Sequence, residues 1–163
     1  MLKALFEQLR KLADEQEDSF IEEIKKKQGG KVNEDQIKAV KEFIFLLPAV
    51  LEQMIEYFNT DSVPSDVKQL SGHIIAYIYN PSDFVSEEEH GLFGYIDDAF
   101  LAVSAFLRMQ DSHKKDWQEK SKEELELLKR SRELIHIPEL LIPDEAKKVD
   151  QLLDNWVQED NRK

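Results

Sequence analysis

The 163-residue chain contains no cysteine. Disulfides, thiol catalysis, Cys-ligated zinc and iron–sulfur clusters are therefore excluded. Long greasy runs are also missing. The longest, Phe43 to Leu51, has nine residues, whereas a bilayer span needs about 20. The N-terminus, Met1-Leu2-Lys3-Ala4-Leu5-Phe6-Glu7, lacks the apolar stretch and small-residue cleavage site of a secretory signal. A cytoplasmic protein without a transmembrane segment is expected. Cations are outnumbered, 22 Lys and Arg against 34 Asp and Glu, for a net charge of −12. Broad nucleic-acid contact is not expected, because phosphates require a cationic face. Nowhere do Val, Ile and Thr alternate as strands would require.

What remains is helical. Hydrophobic residues make up 41% and charged residues 34%, the balance of a charge-covered globule with a core. Apolar residues recur at intervals of three and four. Leu2, Leu5, Phe6, Leu9, Leu12 and Ala13 share one face of a first helix, and Phe20, Ile21 and Ile24 resume it. The polar stretch Asp14–Asp18 between them predicts a bend, and Gly29-Gly30 predicts the stop.

Asn33 and Gln36 have capping-box spacing. The helix they open carries the seam Ile37, Val40, Ile44, Leu47, Leu51, Met54, Phe58, widened by Phe43, Leu46, Val50 and Tyr57. Its breadth marks it as central, and Pro48 inside it predicts a kink or short break. Pro64 suits the first turn of a third helix with Val67, Leu70, Ile74 and Ile78, and Asn80-Pro81 ends it. A fourth helix buries Ile96, Ala99, Phe100, Val103, Phe106 and Leu107. Ser121 and Glu124 form a second capping-box pair, opening a helix with Leu125, Leu128 and Ile135. A last helix begins near Pro143 and buries Val149, Leu152, Leu153 and Trp156. No linker is long enough to separate domains. The expectation is an all-α, single-domain bundle of about six helices spanning residues 1–163.

Charge is unevenly placed. Residues 1–60 carry nine basic and twelve acidic side chains, and residues 111–163 carry eleven and fourteen. Residues 61–110 carry only Lys68 and Arg108 against eight carboxylates. Carboxylates so poor in local cations must be solvated, capped, hydrogen-bonded or bound to a cation. The candidate metal site is Asp83, His90, Asp97 and Asp98, with Glu87, Glu88, Glu89 and His73 nearby. Carboxylate oxygens suit Mg²⁺ or Ca²⁺, and a histidine among them tilts the set towards Mn, Fe or Zn. The spacing matches neither an EF-hand nor His-Glu-x-x-His.

Structural roles compete for the same residues. Ser86 with Glu89 has capping-box spacing, Asp83 suits a turn, and Asp97 or Asp98 suits a helix N-cap. His73 reads as a core or boundary residue, Trp117 and Trp156 read as core, and His113 and His136 stand alone near helix ends without a functional role.

The strings Asn80-Pro81-Ser82-Asp83-Phe84-Val85 and Gly91-Leu92-Phe93-Gly94-Tyr95-Ile96-Asp97-Asp98-Ala99-Phe100-Leu101 resemble the YkvA-like bacterial family of unknown function. The resemblance covers about residues 70–107, within an element at about 64–110. Ser86-Glu87 stands where that family usually shows Pro-Asp. The resemblance implies a helix–turn–helix that gathers Asp83, Asp97 and Asp98, and it carries no established activity.

The leading expectation is a non-catalytic cytoplasmic binding or accessory module with an acidic turn able to take a divalent cation. One alternative is a metal-dependent hydrolase, with one carboxylate holding the metal and another serving as general base. The other is a homo-oligomeric interaction scaffold, for which the first helix is the element most able to pair with another chain. The partner is accordingly a protein or a second copy.

Overall fold

The computed structural model describes residues 2–79, 91–112 and 120–161, with side chains as far as Gln158. The described residues form α-helices and one 3₁₀ turn, with no strand among them. The long helical segments expected from the sequence are all present. The first is divided into α1 (Leu2–Glu15) and α2 (Glu17–Gln28), because Gln16 leaves helical geometry at φ −124°, ψ 28°. The break falls within the polar stretch. α2 ends as expected on Gly29, whose φ of 78° is left-handed and whose N–H donates to the Lys25 carbonyl.

α3 (Glu34–Phe58) opens on a complete capping box. The Asn33 side chain accepts from the Gln36 N–H at 2.8 Å, and the Gln36 side chain accepts from the Asn33 N–H at 3.0 Å. Helical structure continues through the buried Pro48 without interruption, so no break forms there. α4 (Ser65–Ile78) follows Pro64, whose carbonyl accepts the first helical bond, from the Lys68 N–H. Next come a 3₁₀ turn (Gly91–Tyr95) and α5 (Ile96–Ser112). α6 (Lys122–Leu134), the short α7 (His136–Leu141) and α8 (Pro143–Asn161) complete the bundle. The stretch between Ile137 and Pro143, bracketed by two Ile-Pro pairs, is largely a helical turn, with Ile137, Pro138 and Leu141 buried against the body.

α3 is central, packed against α1, α4, α5, α6 and α7. Its seam is buried from Val40 to Met54, together with Phe43, Val50 and Tyr57. The C-terminal end departs from the expected stripe. Phe58 is 53% exposed while Tyr57 is fully buried, so the buried face rotates by one residue there. The expected face of α1 is only partly covered: Leu9 alone is fully buried and Phe6 is 41% exposed. On α6 the buried side runs through Glu124, Ser131 and Leu134, which leaves Leu125 on the surface.

Ion pairs lace the flanking helices, as their near-balanced charges predict. Arg130 joins Glu42 and Glu133, Arg132 joins Asp111, and Lys41 joins Glu17. Arg108, one of the two cations of the acidic middle, is drawn to Asp150 and Asp154 on α8.

Candidate functional site: the acidic start of α5

The turn before α5 is held from three sides. Gly91 has φ 58°, and a Cβ placed there would stand 2.0 Å from the Gln16 side-chain oxygen. The left-handed φ favours glycine, and any larger residue would also have to push the Gln16 side chain aside. The break between α1 and α2 therefore sits directly against the turn. Leu92, Phe93 and Gly94 are buried, and the Phe93 ring lies 6.5 Å from that of Phe20 on α2. These contacts fix the direction in which α5 leaves the turn.

α5 begins at Ile96, so Asp97 and Asp98 lie inside its first turn rather than at its N-cap. Each is only 2% exposed, amid buried Ile96, Ala99 and Phe100. This corrects the solvated-pair reading. The positive end of the helix dipole favours carboxylates at this position. Even so, taking adjacent carboxylates out of water is costly without hydrogen bonds or a cation.

Asp83 and His90, together with Glu87, Glu88 and Glu89, lie outside the described residues, as do His113 and Trp117. Among the described residues no group of three or more His, Asp or Glu side chains is placed to hold a metal ion. His73 is remote in role: its ring stacks on Trp156 at 5.4 Å, and Tyr77 meets the same indole edge-on at 5.8 Å. His136 is exposed beside an apolar cavity between α2, α3 and α7.

A second polar cluster escapes the sequence patterns. The Tyr57 hydroxyl, on α3, accepts a hydrogen bond from Gln110 Nε2 of α5 at 2.9 Å. It also hydrogen-bonds the Glu124 carboxylate of α6. Tyr57 is fully buried, Glu124 is 2% exposed and Gln110 7%. Burial, followed by the negative charge of Glu124, pushes the Tyr57 phenol far above its ordinary value. The phenol therefore stays protonated and donates to Glu124. Ser121 does cap α6, accepting from the Glu124 N–H at 3.1 Å, but the Glu124 side chain turns inward to Tyr57. That inward turn is why the capping-box spacing hid it. The cluster ties three helices together.

Comparison with protein-family models, with curated proteins and with solved structures finds no match to this chain. No helix among the described residues is long and apolar enough to cross a membrane.

Proposed function

We propose that the protein is a YkvA-like, non-catalytic accessory module of the cytoplasm, and that the acidic element at 83–98 binds a divalent cation. One observation carries this reading: the consecutive residues Asp97 and Asp98, in the first turn of α5, are each only 2% exposed. Both carboxylates already have partners; in this reading a divalent cation adds to them and further lowers the cost of keeping two negative charges out of water. Asp83 and His90 supply the remaining ligands in this proposal. Metal-assisted hydrolysis would need a cavity over these carboxylates.

Thermal melts with Mg²⁺, Ca²⁺, Mn²⁺ and Zn²⁺ test the proposal. A cation at about 100 times its Kd should add roughly 2.7 kcal/mol. For a chain of this size that is a rise in Tm of about 5–10 °C. Asp97→Asn and Asp98→Asn should each abolish the rise. If none of the four ions moves Tm, or if both variants respond like wild type, the cation reading is wrong.

A further inference from the structure

The geometry points to a docking groove between α1 and α3 whose occupant is a second copy of this chain, bound across a two-fold axis. The groove measures about 350 Å³ and is lined by Leu2, Lys3 and Phe6 from α1 and by Phe45, Pro48, Ala49 and Glu52 from α3. It is separate from the α5 carboxylates, so it stands or falls independently of the cation reading.

Three observations converge on it. First, α1 carries a six-residue apolar face, yet only Leu9 is fully buried within the chain. Phe6 is 41% exposed and meets Phe45 edge-on at 6.0 Å, forming an aromatic step at the groove. Second, the Arg10 guanidinium lies 5.7 Å from the Phe6 ring centroid, which holds the ring at the surface. Third, Lys3 and Glu52 face the same apolar floor from opposite walls. Both are exposed, and among the described residues neither joins an ion pair.

That charge pattern selects the occupant. A surface that binds itself about a two-fold axis must bring each residue type to its complement, so residue i meets j and j meets i. An apolar groove with one cation on one wall and one anion on the other is self-complementary in this sense. Lys3 of each copy meets Glu52 of the other, and the two Phe6 rings fill the apolar space between them. Aromatic anchors at the centre with charges at the rim are the usual anatomy of such contacts. A phospholipid surface fits less well: Glu52 lines the groove and the chain carries −12 overall.

Sedimentation velocity from micromolar to near-millimolar concentration tests the proposal. A monomer–dimer equilibrium is expected. Phe6→Ser should weaken it at least tenfold, and Ala49→Lys on the opposite wall should do the same. Circular dichroism should show both variants folded, since both sites are exposed. Lys3→Glu and Glu52→Lys should each weaken association by about three- to tenfold. An equimolar mixture of those two charge variants should recover it, because each rim contact of the heterodimer again joins one acid to one base, with the signs exchanged at one of the two contacts. A monomer at every concentration overturns the proposal. So does a dimer indifferent to Phe6→Ser and Ala49→Lys, or a charge-variant mixture that fails to recover. Co-sedimentation of a monomeric protein with phosphatidylglycerol vesicles would assign the groove to a lipid surface instead.

Discussion

Replacing Tyr57 by Phe tests whether the buried cluster at the meeting of α3, α5 and α6 holds those helices together. The substitution preserves the ring and removes one hydroxyl. It leaves the Gln110 amide and the Glu124 carboxylate, both buried, short of their shared partner. An unsatisfied buried polar group costs about 1–3 kcal/mol, and a hydrogen bond to a charged group is worth about 1.5–3. The expected loss is about 3 kcal/mol at neutral pH, read as a shift in the urea midpoint with unchanged slope. Glu124→Gln and the double variant complete a cycle whose coupling should be about 1–2 kcal/mol. pH supplies a second readout. Burial and the Glu124 charge raise the phenol of the folded protein above its ordinary value near 10. The unfolded chain ionises there and the folded chain does not, so unfolding releases a proton above that pH. The stabilising contribution is fully present below pH 10 and is lost as pH rises. Wild type should thus lose about 1.4 kcal/mol per pH unit beyond 10 relative to Tyr57→Phe, and the gap between them should narrow. A loss under about 0.5 kcal/mol at pH 7, or a gap that stays constant to pH 11, would refute the reasoning.

Two further perturbations probe local geometry. Asn33→Ala removes the acceptor for the Gln36 N–H and half of the α3 capping box. It should cost about 1 kcal/mol in chemical denaturation, and Asn33→Ser should restore most of it. Gly91→Ala must give up its left-handed φ or displace Gln16. Its Tm should fall by several degrees, and shortening the neighbour with Gln16→Ala should recover only the steric part, since the φ penalty remains.

Features that depend on a few neighbouring residues were legible in the sequence. The Asn33–Gln36 cap, the Gly29 stop, the start at Pro143 and the three–four rhythm of α3 are all set within one or two helical turns. The even polarity of Asp14–Asp18 announced the break at Gln16 for the same reason. Long-range closure was not legible. Nothing local marks Gln110 or Glu124 as interior, because their burial is created by Tyr57 on another helix. Phe58 and Leu125 sit at apolar positions by period, yet they stay 53% and 52% exposed; the Phe58 ring reaches only the edge of α4, at Gly72. Asp97 and Asp98 show the converse. Neighbouring aspartates at a helix start read as solvated or capping residues, and their burial to 2% exposure depends on tertiary packing that no local pattern announces.

Helices from both halves of the chain, α1 on one side of the sequence and α5, α6 and α7 on the other, lean on one 25-residue rod, Glu34–Phe58. Neither end is therefore an autonomous unit, since each would lose its support if that rod came loose. Amide protons between Phe43 and Met54 should exchange only through complete opening, so their exchange rates measure the stability of the whole protein. The architecture favours melting in one step and gives proteases no detachable half to trim away.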